Sequence, residues 1–272
     1  MDDDKIEYTI QMVQKMTLMD DIFARQIFKN HECSQLLIRT ILDNQDIQIQ
    51  ELTVQEDVGG SIYKSVILDI LAKDNDGILY NIEIQRADKG AEPVRARYHS
   101  SMLDTHILAK GQKYSDLTQT YIIFITENDI LKGDQMLYTI KRYVEQTNKQ
   151  FADGSNIIYV NTSKTDDTAL GKLIHDLKCV DPEQMYYEVL RQETKIGKND
   201  RERMKKMSSI VDEIRADGIK VGEERGEKRG EKRGEEKKGL DVAKKMIKEN
   251  FDISLIEKIT GLSKETIQSM ML

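Results

Sequence analysis

An aspartate in the middle of an otherwise apolar stretch is the feature of this sequence that most limits its fold. Asp69 interrupts residues 66–72, whose other members are all apolar and typical of a buried strand. A second strand-like segment, residues 79–85, follows after Lys-Asp-Asn-Asp-Gly at residues 73–77. Asn, Asp and Gly tolerate the positive φ that a hairpin loop requires. The sequence therefore predicts a β-hairpin with a charged group among buried neighbours.

This hairpin brings acidic side chains to one face of the predicted sheet. Strand side chains alternate between faces, so Glu83 and Gln85 point the same way, and a loop at residues 73–77 sets Asp69 opposite residues 81–83. Two carboxylates that converge in a partly buried place repel each other unless a cation holds them. Oxygen ligands suit Mg²⁺ or Mn²⁺, which can activate water for phosphodiester hydrolysis. The alternative, an Asp69 at a strand edge with Glu83 in solvent, fits poorly with so apolar a strand.

The surrounding hydrophobic pattern predicts a domain with both helices and strands. Residues 17–42 carry apolar side chains at helical spacing, residues 47–54 alternate as a strand, and residues 119–126 suit a central strand buried on both faces. Pro93 suits the first turn of a helix that runs to about residue 110. Residues 136–144 and 156–161 predict a hairpin or strand pair near the sheet edge. Helices are expected at residues 170–177 and 182–190, the latter capped by Asp181.

Two stretches carry a resemblance to a known family of proteins. They are Leu-Asp-Ile-Leu-Ala at residues 68–72 and Tyr-Asn-Ile-Glu-Ile-Gln-Arg at residues 80–86, separated by a polar turn. This arrangement resembles the PD-(D/E)xK nuclease superfamily in its recombination-promoting nuclease or transposase branch. Residues 21–28 are similar to the opening helix of that branch, and residues 95–99 to the helix after its active-site strand. The resemblance covers about residues 17–180, with a looser match in the repeat-containing tail.

The resemblance implies a fold, an activity and a set of site residues. The implied fold is the α/β restriction-endonuclease-like architecture, with a four-stranded mixed sheet flanked by helices. The implied activity is metal-dependent DNA endonuclease chemistry in recombination or transposition. Asp69 and Glu83 are the implied ligands of Mg²⁺ or Mn²⁺, with help from the main-chain carbonyl of Ile84. Gln85 stands at the catalytic position where most of the superfamily has lysine.

Because Gln85 is neutral, the site needs a positive charge from another residue. Glutamine offers a neutral amide that orients a water or phosphate, whereas lysine would add a positive charge. Candidates for substrate-binding cations are Arg86, Arg95 and Arg97, although an arginine near a sheet edge is more often part of a surface ion pair. Asp21 is a further candidate catalytic acid, and its alternative role as the N-cap of its helix is equally open.

Other potential metal ligands lack the spacing of a site. Cys33 and Cys179 are far apart and without ligand-type neighbours, so neither zinc nor a disulfide is expected. His99 and His106 are seven residues apart, which leaves two helical turns between them and argues against a shared metal. The net charge of −7 excludes a protein that is basic all over, but a local DNA-binding patch is compatible with it. With no signal peptide and no membrane span, the expected location is the cytoplasm.

The sequence predicts three segments along the chain. Residues 1–195 form the nuclease-like domain, residues 196–239 a charged helix, and residues 240–272 a small helical module. Glycine recurs every fourth residue from 218 to 234, between rows of acidic and basic side chains. One hypothesis is self-association through residues 212–239, and the alternative is a solvated, frayed helix. Within the end module, Gly261-Leu262-Ser263 predicts a helix stop followed by an N-cap. The module suits packing better than helix-turn-helix DNA binding, because Lys264 is the one basic residue in 263–272.

Two alternatives to a nuclease remain open from the sequence. The first is a catalytically inactive nuclease fold that binds DNA, since Gln85 removes a positive charge from the site. The second is an assembly protein in which the repeat helix matters most.

Overall fold

The computed structural model describes residues 3–58, 66–86, 90–108, 111–204, 207, 226, 229–230, 234 and 237–270. The chain divides into two compact units, Met1–Ser208 and Ser209–Leu272. The self-association hypothesis concerns residues 212–239, which lie almost wholly outside the described residues.

A six-stranded mixed sheet lies at the centre of the first unit. Its strands are β1 (Ile49–Val58), β2 (Val66–Asp74), β3 (Leu79–Gln85), β4 (Thr120–Thr126), β5 (Leu137–Ile140) and β8 (Ser155–Asn161). They are arranged in the order β1-β2-β3-β4-β8-β5, and β6 (Tyr143–Val144) pairs with β7 (Lys149–Gln150) as a separate ribbon. The β3–β4 and β4–β8 pairs are parallel, whereas β1–β2, β2–β3 and β5–β8 are antiparallel.

The resemblance implied a four-stranded sheet, and this prediction was wrong because the sheet has six strands. β1 extends the hairpin on one side, and β5 adds an antiparallel edge strand to β8 on the other. The strand pair expected near the sheet edge is thus present, although the strand expected over residues 136–144 breaks after Ile140. β4 lies inside the sheet between β3 and β8, as its continuous apolar pattern predicted.

Helices cover both faces of the sheet. They are α1 (Asp3–Lys15), α2 (Asp21–Ile27), α3 (His31–Leu42), α4 (Pro93–Ile107), α5 (Ala169–Lys178) and α6 (Glu188–Asn199). Alternate residues of β4 enter different cores: Ile123 and Ile125 pack with α1, α2, α3, α5 and α6, while Ile122 and Phe124 pack with α4. The expected α/β architecture, with a mixed sheet between helices, is confirmed.

The helix predicted over residues 182–190 is wrong in its position. Asp181 caps a 3₁₀ turn at Pro182–Gln184, and α6 begins only at Glu188. The reason is the buried carboxylate of Asp176, which accepts hydrogen bonds of 2.8 Å from the backbone N–H groups of both Tyr186 and Tyr187. Because these donors are held by a side chain, the chain cannot continue as a helix through residues 185–187.

The second unit is a small helical module. Residues 237–248 are helical (α7), followed by α8 (Ile253–Thr260) and α9 (Lys264–Ser269), around Ala243, Ile256 and Ile267. Gly261, at φ +68°, ends α8, and Ser263 caps α9 by accepting from Thr266 N, so the stop and restart predicted there are confirmed. No helix in the described part of the chain is both long and apolar enough to cross a membrane.

Candidate active site

The register of the hairpin brings Asp69 and Glu83 to the same place. The β2–β3 ladder ends at the pair Ile70–Ile82, one residue short of Asp69. Beyond it, the backbone N–H of Asp69 donates to Glu83 Oε1 at 3.3 Å, and the backbone N–H of Ile84 donates to Asp69 Oδ2 at 3.4 Å. Each carboxylate thus accepts from a backbone N–H where the ladder ends, which holds both side chains in the opening between the strands.

Glu83 is completely buried and incompletely hydrogen-bonded. Its Oε1 accepts from Asn81 Nδ2 at 3.1 Å and lies 3.5 Å from His99 Nδ1, while its Oε2 lies 3.6 Å from Arg95 Nη2. Neither Glu83 Oε2 nor His99 Nδ1 has a hydrogen-bond partner among the described residues. A buried carboxylate oxygen without a donor is unfavourable, so this oxygen is suited to a ligand that the polypeptide does not supply.

His99 is held in a defined orientation by its neighbour on α4. Arg95 Nε donates to His99 Nε2 at 3.1 Å, so Nε2 is the acceptor and, in the neutral ring, the hydrogen lies on Nδ1. Nδ1 is the atom that faces Glu83. The ring also packs on Phe124, with a centroid separation of 5.7 Å. His99 thus presents Nδ1 to the Glu83 carboxylate at 3.5 Å, without a completed hydrogen bond to it.

Asp21 reaches the site through Arg25. Arg25 Nη2 lies 2.7 Å from Asp21 Oδ2 and 2.9 Å from Asp69 Oδ1, so one nitrogen joins the two acids. Asp21 is the first residue of α2, and the N-cap position belongs to Asp20. The alternative of Asp21 as the N-cap is therefore wrong.

The concentration of acidic groups changes their proton affinity. Burial, together with the negative charges of Glu83 and Asp21, raises the pKa of Asp69 to about 7, against the opposing effects of Arg25 and the Ile84 N–H. Burial also raises the pKa of Asp21, which Arg25 counteracts. The positive charge that surrounds Asp69 is thus too small to balance its burial and its acidic neighbours. A divalent cation would restore that balance.

Gln85 lies at the end of β3, beside the segment that leads to α4. Its side-chain amide packs closely against Gly90, where an added Cβ would be 2.0 Å from Gln85 Oε1 and 3.4 Å from Arg95 Nη1. The main-chain oxygen of Gln85 is used by Glu127 N at 3.2 Å. A glycine at position 90 therefore makes the space in which the Gln85 amide lies.

The three candidate arginines have different surroundings. Arg86 forms ion pairs with Asp20, at 2.5 Å, and with Glu127, at 3.6 Å, and its side chain is 54% exposed. Arg95 contacts Glu83 and His99. Arg97 is exposed, two residues further along α4 and so about 200° around the helix from Arg95. The structure thus brings Arg95 to the acidic cluster, Arg86 to its border, and Arg97 to neither.

Three residues of this cluster were not predicted to belong to the site. Arg25 and Asn81 were not singled out in the sequence, and His99 was considered only as a metal ligand together with His106. Arg25 follows Asp21 by four residues, the spacing of a helical ion pair. Asn81 precedes Glu83 by two, which places both on one strand face. His99 follows Arg95 by one helical turn. These spacings can be found in the sequence, but each is common among surface residues. They point to a site only once the side chains are known to be buried together.

The donor set suits a hard divalent cation, with some ligands from outside the protein. In the described part of the chain, no three His, Cys, Asp or Glu side chains are arranged to hold a metal ion by themselves. Asp69 and Glu83 offer carboxylate oxygens. The carbonyl of Ile84 lies on the same side of β3 as its N–H, where pairing with β2 has ended. Mg²⁺ commonly uses one or two carboxylates and completes its shell with water and phosphate oxygens.

Comparison with protein families places the chain by a match over most of its length. A family model described as PD-(D/E)XK nuclease family transposase matches residues 19–216, well over half of the chain. No curated protein and no solved structure matches.

Proposed function

Since the chain belongs to the PD-(D/E)XK nuclease family transposases, we propose that it is a DNA endonuclease that hydrolyses phosphodiester bonds with Mg²⁺ or Mn²⁺ during recombination or transposition. A function related to nucleases or transposases follows from the family itself. The observation that carries the finer proposal is the pair of buried carboxylates, Asp69 and Glu83, in the opening of a strand ladder. Among the described residues, none donates a hydrogen bond to Glu83 Oε2.

The proposed roles follow from the contacts of each side chain. Asp69 Oδ and Glu83 Oε atoms hold the cation, with the carbonyl of Ile84 beside them. When bound, such a cation supplies a water of lowered pKa and positive charge next to the phosphate. His99 and Asn81 keep the Glu83 carboxylate in place from two directions. The Gln85 amide orients the attacking water or a phosphate oxygen by hydrogen bonding.

The arginines are proposed to act on the DNA to different degrees. Arg86 borders the site and is half exposed, so it is placed to contact a phosphate next to the one that is cut. Arg95 already lies against Glu83 and His99 and is expected to position Glu83 rather than leave it. Arg97, exposed on the other side of α4, could contact DNA only outside the immediate site.

A second candidate is a DNA-binding protein with an inactive nuclease fold. The observation in its favour is Gln85, which brings no positive charge to the place where lysine stands in most of the superfamily. The two candidates differ in one measurable property, because the inactive protein has no use for a divalent cation.

The test is nicking of supercoiled plasmid by the purified protein with Mg²⁺ or Mn²⁺. Asp69→Ala and Glu83→Ala are compared with Asp167→Ala, which removes an exposed carboxylate before α5. Metal-dependent nicking that both site variants lose and the control retains is the expected result. Equal nicking by all proteins would point to a contaminant or a misplaced site. DNA binding without metal-dependent nicking would favour the inactive candidate.

Self-association through residues 212–239 remains a separate proposal, and most of this segment lies outside the described residues. Its support is the sequence repeat alone, in which acidic and basic rows alternate with glycine. Sedimentation velocity of the full chain tests it, compared with a variant in which Arg225, Arg229 and Arg233 are all replaced by glutamate. A dimer or larger species that the variant loses is expected, and a monomer in both cases would refute it.

A further inference from the structure

Arg25 makes an unusual ion pair at the acidic cluster. An arginine facing a carboxylate commonly uses two nitrogens in a fork, one for each oxygen. Here a single atom, Nη2, contacts Asp21 Oδ2 at 2.7 Å and Asp69 Oδ1 at 2.9 Å, while Nε is buried without a hydrogen-bond partner among the described residues. The guanidinium thus acts as a point charge that bridges two carboxylates.

The contact of Arg25 with Asp21 and Asp69 also leaves part of the negative charge of the cluster unbalanced. One guanidinium faces two carboxylates there, since Arg25 Nη2 contacts both Asp21 and Asp69. Glu83 Oε2, within the same cluster, has no hydrogen-bond donor among the described residues. A divalent cation held by Asp69 and Glu83 would bring twice the charge of a guanidinium to this cluster. Competition between the two cations for Asp69 follows from their common ligand.

We propose that Arg25 is a displaceable counter-cation of the site. Its guanidinium joins Asp21 and Asp69 in the metal-free protein, is displaced when a divalent cation binds the carboxylates, and then contacts the phosphate of the DNA. Arg25 would in this way supply the positive charge that Gln85 lacks. The inference rests on the proposed function, because it assumes that Asp69 binds a metal.

Arg25 differs from the other arginines around the hairpin because it contacts Asp69, so metal binding at Asp69 would release its guanidinium. Arg86 is held by Asp20 and Glu127, and Arg95 by His99 and Glu83 Oε2. Of the arginines that the described residues place around the hairpin, Arg25 is the one bridging Asp69 to a second acid. Its side chain is 22% exposed, so it has a route to solvent and to a ligand without unfolding α2. Metal binding and release of a cation to the phosphate are therefore coupled at this residue.

The test measures metal affinity and cleavage separately in Arg25→Gln. The matched control is Arg142→Gln, which removes an arginine–aspartate ion pair with Asp153 at the opposite end of the parallel strands. Mn²⁺ affinity without DNA is measured by titration calorimetry, and nicking is measured at saturating Mn²⁺. We expect Arg25→Gln to bind Mn²⁺ at least tenfold more tightly, which equals about 1.4 kcal/mol, and to nick at least tenfold more slowly. Arg142→Gln should leave both unchanged.

The outcomes separate this inference from the proposed function. Equal or weaker Mn²⁺ binding by Arg25→Gln would refute displacement, and unaltered nicking would refute the contact with phosphate. Loss of Mn²⁺ binding in Asp69→Ala and Glu83→Ala tests the ligands independently of Arg25. If neither the unaltered protein nor Arg25→Gln binds Mn²⁺, both proposals fail. Should Arg25→Gln not fold, Arg25→Lys decides: it retains the charge, so it should bind Mn²⁺ within about threefold of the unaltered protein and keep part of the nicking, and tenfold tighter binding or complete loss of nicking would count against the inference.

Discussion

Replacing Asp69 by asparagine should stabilise the metal-free protein at neutral pH. The carboxylate is buried beside Glu83 and Asp21, and its pKa in the folded protein is about 7, against an ordinary value of 3.8. Because the folded pKa is raised, the folded state binds the proton more strongly than the unfolded state does. The charge therefore contributes nothing below about pH 4, destabilises the fold increasingly between pH 4 and 7, and has its full effect above pH 7.

The size of the effect follows from the pKa difference. Each pKa unit corresponds to about 1.4 kcal/mol, so the charged form destabilises the fold by about 4 kcal/mol at pH 8. Asparagine has one acceptor oxygen, whereas Asp69 accepts from both Arg25 and Ile84 N. One donor thus loses its partner at a cost of about 1–2 kcal/mol. The free energy of unfolding of Asp69→Asn should exceed that of the unaltered protein by about 2–3 kcal/mol at pH 8.

Urea unfolding from pH 4 to pH 8 in the presence of a chelator measures this difference. The gain should disappear towards pH 4, where the lost hydrogen bond leaves the variant slightly less stable. Asp167→Asn, which neutralises an exposed carboxylate of the same unit, is the matched control and should show no such trend. A variant that is destabilised equally at every pH would refute the argument, because it would mean that Asp69 contributes as a structural ion-pair partner.

Three further predictions concern other parts of the first unit. Gly90→Ala should push away the Gln85 amide, whose Oε1 would lie 2.0 Å from the new Cβ, so nicking should fall about tenfold or more. Because the displaced atom is the end of a flexible side chain, the free energy of unfolding in urea should change by less than about 1 kcal/mol. Asp176→Ala leaves the two backbone N–H groups it holds at residues 186 and 187 unpaired, so the free energy of unfolding should fall by about 3 kcal/mol without a change in Mn²⁺ affinity. Burial raises the pKa of Cys33 to about 12, so this thiol should resist a thiol-specific reagent at pH 8 until the protein is unfolded in urea, and rapid reaction of the folded protein at this position would contradict its burial.

The hairpin and its face could be predicted because their signals are local. Strand alternation predicted the shared face of Glu83 and Gln85. The length of the loop predicted Asp69 opposite residues 81–83, and the ladder ends next to it at the pair Ile70–Ile82. Gly261 and Ser263 marked the boundary between α8 and α9 for the same reason, because caps and stops depend on residues within one turn.

The remaining parts of the site depend on contacts between distant segments. Arg25 meets Asp69 across 44 residues of sequence, and no periodicity relates the two. The position of α6 depended on a carboxylate at residue 176, ten residues before the backbone that it holds. Propensity favoured a helix from Pro182, and a buried side chain that bonds to the backbone overrode it. Such contacts follow from packing, which the pattern of a single sequence does not specify.

The energetic state of the cluster bears on whether the site is active. Where the β2–β3 ladder ends, Glu83 accepts from the N–H of Asp69 and Asp69 accepts from the N–H of Ile84, an arrangement that could serve structure alone. It does not account for Glu83 Oε2, which no described residue reaches with a hydrogen bond, or for the raised pKa of Asp69. Well-packed apolar residues of similar volume can often replace a whole buried ion pair without loss of stability. A fold that only bound DNA would gain nothing from these destabilising groups, whereas one that binds a cation recovers that energy on binding. Mg²⁺ should therefore raise the melting temperature of the unaltered protein and not that of Asp69→Asn.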